Sequence, residues 1–258
     1  MLEDELDTKL LVKRNGEYTL TPEGKILMCA AEEIERLTSN ASKEIAGRDY
    51  EISGTVRLAA PDGIATYFLA PRLSAISEKF PRLNVELTVP RRQSRLSQRE
   101  SDIAIMIDRP NEKRVFSKKL VHVTLRLFAS KNYLSNASPI TTTGDLSKHN
   151  FVTGVDEFDF GPSLNNILAE MGSAFEPTIA CSSVVAQLKA TASGGGLCCL
   201  ANFIANTEKD LVCILPSELH FQREIWMSTH RDLMNLARVR AVQEFLEHSF
   251  AASESLFN

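Results

Sequence analysis

The chain has 258 residues, with 29 Lys+Arg against 33 Asp+Glu and 43% hydrophobic residues. That length allows one or two domains and enough buried surface to do without a disulfide or metal staple. No apolar run reaches the roughly 18 residues of a membrane-spanning helix, and the acidic start Leu2-Glu3-Asp4-Glu5 lacks the basic-then-apolar order of a signal peptide. Residues 1–50 carry 11 acidic and 7 basic groups, so the net charge of −4 resides there, and residues 51–258 balance at 22 and 22. A chain-wide basic footprint for nucleic acid is absent. Five cysteines, an odd number, predict reduced thiols in the cytoplasm that act as small buried hydrophobes. Cys198-Cys199 is not a CxxC pair and no histidine stands at zinc spacing, so neither a metal nor a cofactor is expected.

In chain order, residues 4–14 read as the end of a helix followed by a turn. Asn15-Gly16 is a reversal signal between Leu10-Leu11-Val12 and Tyr18-Thr19-Leu20, which predicts a small two-stranded wing. Thr21-Pro22-Glu23 then starts a long helix: Thr21 suits the N-cap, Pro22 the first turn, and Glu23 the positive end of the helix dipole. Leu27, Ala30, Ile34, Leu37 and Ala41 recur at alternating spacings of three and four, a heptad seam ending near Gly47. The stripe fits a dimerising coiled coil; a helix packed on its own domain would carry a similar one.

From Gly54 the pattern changes to alternating strands and helices. Strands are predicted over 55–60, 83–89 and 102–107, with helices over 64–80 and 96–99 between them. This order implies parallel pairing through right-handed crossovers. Residues 121–130 alternate and predict a long strand leaving this unit. A second α/β unit follows, with strands at 151–152, 178–181, 197–200 and 211–215, and helices over 164–171 and from Ser182-Ser183 to about 193, where Gly194-Gly195-Gly196 ends the second of them. Residues 223–229 form a strand able to return to the first unit, and 236–250 a terminal amphipathic helix. The fold class is therefore α/β: two lobes joined by two crossing strands, with ligands expected at the carboxyl ends of strands.

These segments together resemble a LysR-type transcriptional regulator. The likeness runs through Leu2-Glu3-Asp4-Glu5-Leu6, Lys9–Arg14 and Leu20-Thr21-Pro22-Glu23-Gly24. It continues through Gly54–Pro61, Leu69–Leu73, Phe80-Pro81, Arg99–Ile105 and Ala192–Leu200. The resemblance implies a periplasmic-binding-protein-like effector domain preceded by a coiled-coil linker helix and a remnant of a winged helix-turn-helix. The implied organisation is 1–20 for the remnant, 21–50 for the linker and dimerisation helix, and 51–258 for the effector domain. Within that domain, lobe I comprises 54–123 and 228–258, and lobe II comprises 124–227. The chain is expected to start inside the recognition helix, so the base-reading surface is missing and DNA binding by the chain alone is expected to be poor. The implied partners are promoter DNA in a full-length form, a small-molecule effector and further copies in a dimer or tetramer, with no membrane.

Candidate phosphate contacts are Lys9, Lys13 and Arg14 on the wing, contacts that position a protein without reading sequence. Effector contacts are expected at Asp62, Gly63, Ile64, Asp108, Thr124, Thr153, Ser182 and Ser183, from helix starts and strand ends facing the cleft and, for Asp108 and Thr124, from the resemblance. Asp108 stands where the family carries Arg. Independently of the family, Ser182 and Ser183 open a helix whose free N–H groups suit a ligand carboxylate, although ordinary capping would use the same residues. Asp62 argues against an anion at the first helix of lobe I. No catalytic residue is expected. There is no G-x-S-x-G elbow, no P-loop, no H-E-x-x-H, and the five histidines are scattered. The alternative to a regulator is a cytoplasmic small-molecule-binding protein of the two-lobed solute-receptor type that does not bind DNA.

Overall fold

A computed structural model describes residues 2–14, 17–31, 34, 38, 52–90, 101–110, 115–155 and 177–258. The chain divides into two compact units, Met1–Glu51 and Ile52–Asn258.

In the first unit, a single turn α1 (Leu2–Glu5) precedes the antiparallel strands β1 (Leu11–Arg14) and β2 (Glu17–Leu20), with Leu11 opposite Leu20 and Arg14 opposite Glu17. A lone hairpin of this size is marginal in water. Here it leans on Glu3, whose carboxylate accepts from the Leu10 and Leu11 amides at 2.7 and 3.1 Å and from Lys9 Nζ at 3.2 Å. Those donors, led by the Leu10 amide, hold the Glu3 carboxyl below its ordinary range. Thr21 caps the helix over 22–31: its Oγ1 accepts from the Gly24 amide at 2.9 Å and donates to the Lys9 carbonyl at 2.7 Å. A Cβ on Gly24 would collide with the Leu10 carbonyl, so helix and hairpin touch backbone to backbone. Along the expected seam Leu27 is half-buried, while Ala30 and Ile34 are exposed, Ile34 by 62%. Leu37, Ala41 and the expected end at Gly47 lie outside the described residues.

The second unit is built on a seven-stranded sheet in the order β10-β6-β11-β5-β3-β4, with β9 also paired to β6. Its strands are β3 (Ser53–Ala59), β4 (Arg82–Thr88), β5 (Ile103–Ile107), β6 (Val115–Ser130), β9 (Cys198–Ala201), β10 (Leu211–Ile214) and β11 (His220–His230). β3 pairs parallel with β4 and β5, as strand-helix-strand order requires. A separate parallel pair is formed by β7 (Phe151–Gly154) and β8 (Pro177–Cys181). β6 is longer than expected, at 16 residues. It pairs with β11 over Val115–Arg126 and with β9 and β10 over Leu125–Ser130, so it runs through both halves of the unit, the first built around β3–β5 and the second around β7–β10. β11 returns alongside β5 through Ile225–Thr229.

The expected helix over 64–80 is helical throughout 62–79 but not uniform. An α turn (Asp62–Ile64) runs into a π turn (Ala65–Leu69), a 3-10 turn (Ala70–Arg72) and an α-helix (Leu73–Lys79). The cause is Pro71, which has no amide hydrogen to give the carbonyl four residues back. Arg72 compensates at the next carbonyl, donating Nη1 to Phe68 O at 2.9 Å. In the second half Ser183 caps the helix Val184–Ala192, and a short helix Asn202–Ala205 follows β9. The C-terminal helix Ala237–Ala252 packs Val239, Val242, Leu246 and Phe250 inward, and Glu254–Phe257 adds a last turn. The expected helices over 96–99 and 164–171 lie outside the described residues.

One hydrophobic core joins the two halves: Val56, Leu58, Phe68 and Ile103 from the first are continuous with Val152, Leu188, Leu200 and Phe203 from the second. A smaller core gathers Leu127, Leu146, Phe151, Leu197 and Ile214. At its edge His149 is buried, with the Tyr133 hydroxyl 3.1 Å from Nδ1 and Nε2 without a hydrogen-bond partner. Burial pushes the His149 pKa below its ordinary value of 6.5. A base depressed in the folded state binds fewer protons than in the unfolded chain, so its stabilising contribution is present above about pH 6.5 and is lost as pH falls below it. The urea midpoint is therefore expected to drop more between pH 7.5 and 5.5 in the wild type than in His149→Gln; equal drops would remove His149 as the cause.

Candidate functional site

The two halves of the 52–258 unit meet at the start of two helices. Asp62 follows the carboxyl end of β3, and Ser183 follows the carboxyl end of β8. This is where open α/β sheets place their ligands. Ser183 Oγ accepts from the Ala186 amide at 3.3 Å, as an N-cap does, and donates its hydroxyl proton to Asp62 Oδ2 at 2.5 Å. The Val185 amide points to the same carboxylate oxygen at 3.4 Å. Asp62 Oδ1 lies 3.3 Å from Thr66 Oγ1. The helix start that the sequence offered to a ligand carboxylate is thus taken by a side chain of the same chain. Besides weighing against an anion at its own helix, Asp62 serves the helix of the other half.

Gly63 makes this approach possible. A Cβ there would stand 2.5 Å from Ile204 Cδ1 and 2.8 Å from Val184 Cγ1. Tyr67, one turn on, is half-buried beside the Lys189–Glu208 ion pair, and burial raises its phenol pKa. Below it Phe68 meets Phe257 with centroids 4.9 Å apart, and Phe257 meets Phe203 at 4.9 Å. Asn202 is buried with Oδ1 unpartnered, while its Nδ2 donates to Asn258 O at 3.0 Å. The sequence reading did not single out Tyr67, Asn202, Phe203, Ile204 or Glu208. Nothing in their local pattern signals that they face the opposite half of the unit.

The other candidates lie outside this hydrogen-bonded contact. Ile64 is 4% exposed and belongs to the main core, so packing takes its side chain. Asp108 ends β5 at φ 64°, a left-handed conformation that Asp tolerates, and its amide donates to Glu224 O at 2.8 Å. Thr124 is buried on β6 opposite Gln222 of β11. Thr153 is buried on β7 opposite Ala180, with its Oγ1 unpartnered. Ser182 is exposed. On the wing Lys9 is paired with Glu3, and Lys13 and Arg14 lie on β1. The structure brings together Asp62, Gly63 and Ser183.

None of the five cysteines forms a disulfide. Cys198 is fully buried, and desolvation drives its thiol pKa far up, which is unlike a redox-sensing thiolate. Among the described residues no group of three His, Cys, Asp or Glu side chains could hold a metal, and no helix is long and apolar enough to cross a membrane.

A two-lobed α/β unit with helix starts converging between its halves defines a small-molecule-binding class. The chain belongs to the LysR-type regulator family: residues 50–251 match the LysR substrate binding domain. It is similar to the glycine cleavage system transcriptional activator of Escherichia coli (strain K12), at 26% identity over 264 aligned positions that cover 99% of this chain and 84% of that protein. It is also similar to the HTH-type transcriptional regulator CysL of Bacillus subtilis (strain 168), at 24% identity over 85% of this chain and 74% of that one. The structure of CrgA, a LysR-type transcriptional regulator from Neisseria meningitidis, superposes with a TM-score of 0.67 at 21% identity, covering 96% of this chain and 86% of that one.

Proposed function

We propose that this chain is a cytoplasmic LysR-type transcriptional regulator, not an enzyme. In this reading residues 52–258 bind a small-molecule effector between their halves. The helix starting at Pro22 pairs two copies through Leu27, Ala30, Ile34, Leu37 and Ala41. The wing lays Lys9, Lys13 and Arg14 against promoter phosphates, contacts that set register but not sequence. Effector binding shifts how the two halves engage, and that shift alters the arrangement of the oligomer on DNA. The observation that carries the reading is the match of residues 50–251 to the family's substrate-binding domain. The exposure of Ile34 by 62% supports an oligomer, because an apolar helix face left open in one copy is a surface a second copy can cover.

The test is light scattering of the purified chain, together with a gel shift on promoter DNA. A dimer or tetramer with weak, sequence-indifferent DNA binding is expected, with Ile34→Asp shifting the mass towards the monomer. A monomer would instead support the solute-receptor alternative, and tight sequence-selective binding would overturn the expectation that the base-reading surface is missing.

A further inference from the structure

We propose that Asp62 is a latch between the two halves of the 52–258 unit, and that it makes their seam select against carboxylate ligands. The proposal rests on the effector-binding reading above. A helix start leaves amide groups with no partner inside the helix, and those groups attract negative charge. At Val184–Ala192 two of them, from Val185 and Ala186, are already engaged. Ser183 Oγ takes the Ala186 amide, and Asp62 Oδ2 takes both the Ser183 hydroxyl at 2.5 Å and the Val185 amide at 3.4 Å. The carboxylate comes from 121 residues away in sequence and from the other half of the unit, so this is a cross-seam bond and not local capping.

The surroundings hold it in place from the apolar side. Gly63 lets the first helix start come so close that a Cβ would overlap Ile204 Cδ1 and Val184 Cγ1. Phe68, Phe203 and Phe257 carry the same contact deeper. Two consequences follow from the charge. Separating the halves must break a charge-assisted hydrogen bond, the stronger kind. An incoming acid meets two spent amides and a negative charge, whereas a ligand bearing an N–H or O–H donor finds Asp62 Oδ1, which also accepts from the Thr66 hydroxyl at 3.3 Å.

The experiment uses the full chain and sodium acetate as the probe. Amide exchange at Val185 is measured in the wild type, Asp62→Ala and Asp62→Asn, and thermal midpoints are compared in acetate and in chloride at equal ionic strength. In Asp62→Ala the Val185 amide is expected to exchange about tenfold faster, the loss of one hydrogen bond to a charged group. Acetate is expected to raise the midpoint of Asp62→Ala by a few degrees and to leave the wild type unmoved. Asp62→Asn, which keeps the shape without the charge, should show faster exchange in the same direction and covers the case in which the alanine variant does not fold. Exchange within twofold of wild type in both variants would overturn the latch. An acetate shift as large in the wild type as in the variants, or none in any of them, would overturn the selectivity. No effector is needed, so failure of the effector-binding reading would leave these readouts intact.

Discussion

Phe68→Ala is expected to destabilise the 52–258 unit by about 3–5 kcal/mol, the usual cost of emptying a fully buried aromatic site. Phe68 is 0% exposed, and its ring lies 4.4 Å from that of Phe250 and 4.9 Å from that of Phe257. The Arg72 guanidinium sits over its other side at 4.1 Å while reaching Phe68 O and Ser253 Oγ. Removing the ring therefore strips contacts from the C-terminal helix, from its last turn and from an arginine at once. Collapse around the void is restricted because Phe250 and Phe257 are themselves fully buried. Urea unfolding followed by the fluorescence of Trp226, the single tryptophan, would measure the loss. A cost below 1 kcal/mol would mean that this aromatic cluster does not hold the helical segments together.

Gly196→Ala is expected to cost about 3 kcal/mol, for a different reason. Gly196 has φ 135°, a conformation that side chains rarely adopt, and a Cβ there would fall on the Asn150 carbonyl. That carbonyl accepts from the Leu197 amide at 2.8 Å, and Leu197 O in turn accepts from Val152 at 2.8 Å, the bonds that join β7 to the start of β9. The substituted chain must move β7 away and surrender both. Loss should show as faster exchange of the Val152 and Leu197 amides together with a lower urea midpoint. An unchanged midpoint would show that the β7–β9 junction yields without cost.

Much of the architecture could be read from local pattern. Thr21 and Ser183 cap helices because a short side chain with an oxygen acceptor precedes an amphipathic run, and both hydrogen bonds form. Strands β3, β4, β5, β7, β8, β9 and β10 lie within a few residues of their expected places, since apolar runs bounded by Gly, Pro, Asp or Ser leave little choice. The irregular helix over 62–79 was less legible: local spacing predicted one helix over 64–80 and did not show the π and 3-10 turns that Pro71 imposes on it. β6 was underestimated because Val115–Leu120 carries half-buried Ser117 and exposed Lys118 and Lys119, which interrupt the apolar alternation by which strands are read.

The candidate site was half visible. Local spacing identified Asp62 and Ser183 as helix starts and gave each a separate role, one repelling an anion and the other binding it. It could not show that the two residues bond to each other, because nothing in the chain between them encodes their meeting. Ile64 has the same limit: its position beside Asp62 and Gly63 suggested a ligand contact, but the direction of its side chain was set by the core.

The sequence by itself determined the family, the α/β class and the helix caps, all of which depend on residues close together in the chain; of the five cysteines expected to be buried hydrophobes, only Cys198 is buried and Cys29 is exposed. Only the tertiary structure decided that the two halves share one core across β6 and that Gly63 brings them into contact. It also decided that the anion at the second helix start is Asp62. Those outcomes rest on distances between residues more than a hundred positions apart, and they follow from how the sheet closes and which apolar faces find each other.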